Sequence, residues 1–127
     1  MAIAAVQAGA AAVSAADIDP FSAAACALNM EANGVSFSVV QDDLIGHSGG
    51  FDVLLAGDVF YEKAMADRLL PWFSELRSKG VEILVGDPGR SYRPAARLEE
   101  LASYSVTVTR ALEDADTKHT TVWRFSC

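Results

Sequence analysis

Two short apolar runs, Phe51-Asp52-Val53-Leu54-Leu55-Ala56 and Val81-Glu82-Ile83-Leu84-Val85, flank an amphipathic stretch over residues 63–79. Apolar runs of strand length mark buried strands, the first expected to be central and covered on both faces. The stretch between them places Met65, Leu69, Trp72, Phe73 and Leu76 on one stripe, and Gly80 closes it. Pro71 lies inside, so a kink or break is expected there. A strand, helix, strand unit constrains the chain to an α/β sheet with parallel neighbours, right-handed crossovers and helices on both faces.

The remaining residues extend the alternation. Residues 2–8 are alanine-rich and helix-prone with Gly9 as a cap, and residues 11–16 read as a short buried strand. Asp19 is placed to cap the next helix, with Pro20 at its first position. Ala24, Ala25, Leu28 and Ala32 recur at helical spacing before Asn33-Gly34 stops that helix. Residues 35–40 form the next strand, followed by Gln41-Asp42-Asp43 and the loop His47-Ser48-Gly49-Gly50. After Val85 come the turn Gly86-Asp87-Pro88-Gly89-Arg90 and a helix expected over residues 95–104. Residues 105–109 and 120–125 lack an intervening helix and should pair as an antiparallel ribbon. The expected fold is a doubly wound, mostly parallel sheet with an antiparallel C-terminal strand.

A chain of 127 residues, 51% hydrophobic and 21% charged, holds one globular domain and is not disordered. Its net charge of -7 excludes a dense cationic surface for a phosphate backbone. The same charge would suit a basic protein substrate, but soluble enzymes are commonly acidic with no such purpose, and that reading comes first. Cys26 and Cys127 make no disulfide framework, which points to a reducing cytoplasm. No segment is long and apolar enough to span a membrane, the start lacks the basic residues of a signal peptide, and no metal site is expected.

Ligands of doubly wound sheets bind outside the carboxyl ends of the strands. That rule selects Asp17, Asp42, Asp43, Asp58 and the loop after Val85. Asp17 is placed to accept from a ribose diol, with Ile18 against an adenine face; equally, Asp17 and Asp19 serve only to cap the helix. Asp43, with Asp42 as second choice, is placed to accept from the adenine amino group, and both also suit a solvated turn. Asp58-Val59-Phe60-Tyr61 brings a carboxylate and an aromatic pair to a strand end. Taken from the residues alone, Asp58 reads better as a cap for the following helix, with Phe60 and Tyr61 packing.

The string Ala16-Asp17-Ile18-Asp19-Pro20-Phe21, with Asn29-Met30-Glu31-Ala32-Asn33-Gly34-Val35, resembles class I methyltransferases, in particular ribosomal protein L11 methyltransferases. Asp58-Val59-Phe60-Tyr61-Glu62 is similar to the Asp-x-x-Tyr motif of seven-strand protein-lysine methyltransferases. With Gly86-Asp87-Pro88-Gly89-Arg90 and Thr121-Val122-Trp123-Arg124, the resemblance is closest to electron-transfer flavoprotein β-subunit lysine methyltransferases. It implies methyl transfer from S-adenosyl-L-methionine to a lysine ε-amine. Asp58 and Tyr61 would be catalytic, and Asp17, Ile18, Asp42, Asp43 and Asp58 would hold the cofactor. Phe60, Arg90 and Tyr92 would meet the substrate, which would be the flavoprotein β subunit or a ribosomal protein. No general base is evident; His47 and His119 read as surface residues.

One departure accompanies this resemblance. Such enzymes begin with a strand and a glycine-rich turn, whereas this chain opens in the helix that follows. The expected Rossmann-like sheet therefore lacks its first, central strand, between the strands ending at Asp17 and Ala56. Its 127 residues read as an N-terminally truncated domain, inactive as a monomer, with unpaired edges open to oligomer formation. Three alternatives stand beside this reading: a non-catalytic binding module, an NAD enzyme, and a methyltransferase for small-molecule amines.

Overall fold

Local capping signals set the first helices. In the computed structural model, which describes residues 1–109 and 117–127, α1 spans Ala2–Gln7 and ends before Gly9, whose φ of +94° suits glycine. After β1 (Ser14–Ala16), Asp19 caps α2 (Pro20–Asn33) by accepting from the Phe21 N–H at 2.9 Å. Gly34 ends α2 in the left-handed conformation. The face of α2 that becomes partly covered carries Ser22, Ala23, Cys26 and Met30, whereas Ala24, Ala25, Leu28 and Ala32 are exposed. β2 (Ser38–Val40) pairs in parallel with β1 through Ser14 to Ser38, Ala15 to Val39 and Ala16 to Val40. These elements form one compact unit, Met1–Leu44, and a second comprises Ile45–Cys127.

The second unit contains β3 (Val53–Gly57), α3 (Lys63–Ser78), β4 (Glu82–Asp87), a 3-10 turn (Ala95–Arg97), β5 (Leu98–Thr107) and β6 (Thr117–Phe125). Its sheet order is β3-β4-β6-β5, parallel between β3 and β4 and antiparallel in the other two pairs. α3 buries Ala66, Leu69, Trp72, Phe73 and Leu76, and the sheet buries Ile83, Val85 and Phe125 beneath them. The expected stripe is met except that Ala66 replaces Met65 as the buried residue at its start. α3 runs unbroken through Pro71, contrary to the interruption expected there. Pro71 lies on the exposed face, where water can satisfy the carbonyl that its missing N–H leaves free, while the buried stripe holds both halves of the helix.

Two expectations need correction. Residues 98–104 are not helical but belong to β5, where the ladder with β6 overrides the helix propensity of Leu98, Glu99, Glu100, Leu101 and Ala102. An irregularity between Glu100 and Ala102 leaves Leu101 without a partner, and this bulge hides the strand alternation in the sequence. β3 is an edge of its described sheet, with Val53 49% and Leu55 38% exposed, and β4 is central. Among the described residues β1 pairs only with β2, and β3 only with β4. No described helix is long and apolar enough to cross a membrane.

Candidate active site

The carboxyl ends of β3 and β4 bring Asp58, Asp87 and Arg90 together. The parallel ladder pairs Gly57 with Gly86, and the Asp58 N–H extends it by donating to the Gly86 carbonyl at 2.8 Å. Asp58 then leaves the strand with a φ of +52°, the one positive value outside glycine among the described residues. That conformation costs a side-chain-bearing residue on the order of 1–2 kcal/mol, and aspartate tolerates it better than most. Asp58 does not cap α3: the residue at that position is Glu62, which makes no side-chain capping bond.

The Asp58 carboxylate instead meets Arg90. Arg90 Nε donates to Asp58 Oδ1 at 2.7 Å and Nη2 donates to Oδ2 at 2.7 Å, a two-pronged pair from the loop after β4. The Arg90 guanidinium holds the Asp58 carboxyl below the usual carboxylate range, against an opposing push from partial burial, and Lys118 adds a smaller pull.

Asp87, the last residue of β4, builds that loop. Its side chain is fully buried, and Oδ1 accepts from the Gly89 N–H at 2.7 Å and the Arg90 N–H at 2.8 Å. Gly89 takes a φ of +102°, which this tight return needs. Arg93 approaches Asp87 Oδ1 at 3.7 Å, and its guanidinium lies 4.6 Å from the centre of the Trp123 ring. Asp87 and Arg93 had no assigned role in the sequence, although Asp87-Pro88-Gly89 is a turn signature whose side chain commonly binds its own backbone two residues on.

The aromatic pair divides. Tyr61 is 54% exposed, whereas Phe60 is fully buried with its ring edge-on to Phe73 at 6.3 Å. Phe60 therefore belongs to the core of this unit and does not offer a ring face beside Tyr61. Tyr92, two residues beyond Arg90, is exposed.

In the first unit, Asp17 follows β1 directly, and its Oδ1 accepts from the Asp19 N–H at 2.9 Å. Asp19 alone caps α2, so Asp17 shapes the turn without being the cap. Ile18 beside it is 70% exposed. Asp42 Oδ1 accepts from the Asp43 N–H at 2.8 Å, as expected of a turn residue, and Asp43 is half-buried. Among the described residues no cluster of His, Cys, Asp and Glu could hold a metal ion.

Residues 1–81 match the family model described as ribosomal protein L11 methyltransferase (PrmA). The chain is 39% identical over 131 residues to the electron transfer flavoprotein beta subunit lysine methyltransferase of Xenopus laevis, covering 98% of this chain and 53% of that protein. To its counterpart in Danio rerio it is 36% identical over 133 residues, covering 99% and 52%. The chain thus spans about half the length of the curated relatives it matches. The crystal structure of the ribosomal protein L11 methylase from Lactobacillus delbrueckii subsp. bulgaricus shares the fold, with a TM-score of 0.59 at 20% identity over 98% of this chain and 63% of that one.

Proposed function

The chain belongs to the ribosomal protein L11 methyltransferase (PrmA) family, and from that premise we propose that it carries the acceptor side of an S-adenosylmethionine-dependent protein-lysine methyltransferase. One observation carries the reading. The end of β3 carries Asp58 on a left-handed backbone, ionised and held by Arg90, three residues before the exposed Tyr61.

Asp17 and Ile18 suit the nucleoside of the cofactor. A carboxylate at the end of β1 can accept from a ribose diol, and an exposed Ile18 offers the flat face of adenine an apolar neighbour. Asp43, in the turn after β2, is the first choice of partner for the adenine amino group, and Asp42 the second. S-adenosylmethionine supplies a methyl carbon on a sulfonium that is already a good leaving group. The residues of the chain therefore have to position an uncharged amine rather than create a strong nucleophile. Asp58 accepts from an amine N–H and so aims its lone pair, and Tyr61 flanks the lysine stem. Arg90 and Tyr92 face the protein that bears the lysine.

The electron-transfer flavoprotein β subunit is the first substrate to test and a ribosomal protein the second, since relatives bear those names. A reducing cytoplasm suits the free thiols of Cys26 and Cys127. The test uses the full-length gene product, labelled S-adenosylmethionine and each candidate protein. Lysine labelling is expected. Asp58→Ala should lower turnover on the order of a hundredfold, as loss of positioning does, with little change in adenosylhomocysteine binding. Undiminished turnover in a folded Asp58→Ala protein would overturn the assignment.

A further inference from the structure

We propose that Arg90 is a positioning residue through which the Asp58 site selects an uncharged amine over an ammonium ion. The inference rests on the reading that Asp58 receives the acceptor lysine. Its physical basis is the two-pronged contact. Each prong of Arg90 occupies one lone pair on one Asp58 oxygen, at 2.7 Å in both cases. An ionised carboxylate offers about four acceptor sites, so each oxygen keeps one for a further donor. The side chains of Asp58 and Arg90 are 41% and 44% exposed, which leaves those sites within reach of a ligand.

Arg90 is not a loosely held surface cation. Its backbone N–H and that of Gly89 are fixed by the fully buried Asp87, so a rigid loop aims the guanidinium. Exposed ion pairs stabilise a fold by little. A pair this well aimed at a strand end is better explained by what it does to the charge of the site.

A bare carboxylate would bind an ammonium ion and stabilise it. A lysine amine has an ordinary pKa of about 10.4, so an isolated Asp58 would hold the acceptor in its unreactive form. Arg90 cancels that charge. The charged groups acting on Asp58 among the described residues are Arg90, from the loop after β4, and Lys118, from β6, and both are cations. An incoming ammonium would meet a carboxylate already paired with a guanidinium. A neutral amine donates its N–H to the acceptor sites that remain, having left its proton to bulk water, and keeps its lone pair for attack.

The experiment uses the full-length gene product with a lysine-bearing protein substrate. Values of kcat and KM are measured from about pH 6 to about pH 10 for wild type, Arg90→Gln and Arg90→Lys. Arg90→Gln should lower kcat about tenfold at neutral pH, lower KM, and approach wild type at high pH, its midpoint raised by about one unit. Arg90→Lys should recover most of that midpoint shift while losing part of kcat, because the charge remains and the fork does not. Binding supplies a readout apart from turnover. With adenosylhomocysteine present, a lysine peptide should bind Arg90→Gln about tenfold more tightly than wild type at neutral pH, and a norleucine peptide should show no such gain. A uniform loss of kcat at every pH, with unmoved midpoint and unchanged peptide binding, would overturn the inference and leave the lysine reading intact. Absence of lysine methylation by wild type at every pH would overturn both.

Discussion

Replacing Phe60 and Tyr61 by alanine, one at a time, should produce opposite kinds of damage. Phe60 has no exposed surface, lies edge-on to Phe73, and Phe73 in turn stands edge-on to Phe125 at 5.4 Å. Truncating the first ring of this stack removes its burial and leaves a cavity, a loss of about 3–5 kcal/mol. Roughly 0.5–1.5 kcal/mol of that belongs to the edge-to-face contact. Against a total of about 5–15 kcal/mol for a domain, the loss is large, and a urea slope of about 1–3 kcal/mol per molar makes it a midpoint shift on the order of 2 M. Tyr61 is 54% exposed, and its removal should change stability by no more than about 0.5 kcal/mol while lowering turnover. Urea unfolding followed by tryptophan fluorescence suits the test, because Trp72 is buried 5.9 Å from the Phe73 ring. A Phe60→Ala protein within about 1 kcal/mol of wild type would refute the placement of Phe60 in the core.

Asp17→Ala should weaken adenosylhomocysteine binding about tenfold or more, since a hydrogen bond to a charged group contributes roughly 1.5–3 kcal/mol. An unaltered dissociation constant by calorimetry would confine Asp17 to its turn. Glu82 accepts from Arg124 Nε at 2.6 Å and from Arg77 Nη1 at 2.9 Å, and Arg124 above all holds its carboxyl below the usual glutamate range. The stability from this pairing is therefore full above that range and is lost as pH falls through the lowered folded value. Glu82→Gln should be less stable at neutral pH and lose less on acidification, whereas a stability curve parallel to wild type would refute the role.

What the sequence revealed follows the range of the interactions. Asp19-Pro20 and Asn33-Gly34 mark the ends of α2 because capping is settled within a few residues. Which face of α2 is covered was not legible, because alanines surround the helix and the partly covered Ser22, Ala23, Cys26 and Met30 are no more apolar than the exposed Ala24, Ala25, Leu28 and Ala32. The apolar run at β3 correctly signalled a strand, but a strand's neighbours are a property of the whole sheet. Likewise β5 owes its form to β6, and neither Leu98-Glu99-Glu100-Leu101 nor its spacing discloses a partner so far along the chain.

The candidate site was half legible for the same reason. The sequence contains Gly57-Asp58 and Gly86-Asp87, each at the end of a strand. Parallel pairing of Gly57 with Gly86 brings the two aspartates to neighbouring positions, where two carboxylates with no cation would repel. The chain resolves this by giving them different work. Asp87 continues the alternation that buries Ile83 and Val85, turns inward, and spends Oδ1 on the loop that carries Arg90. Asp58 turns into the left-handed region and takes the guanidinium which that loop delivers. One carboxylate builds the loop so that its neighbour is presented neutralised, oriented and half-exposed. That arrangement explains how the Asp-x-x-Tyr string and the Gly-Asp-Pro-Gly-Arg string, far apart in the chain, meet through Asp58 and Arg90. Neither string indicates this alone, and the register of a single parallel pair joins them.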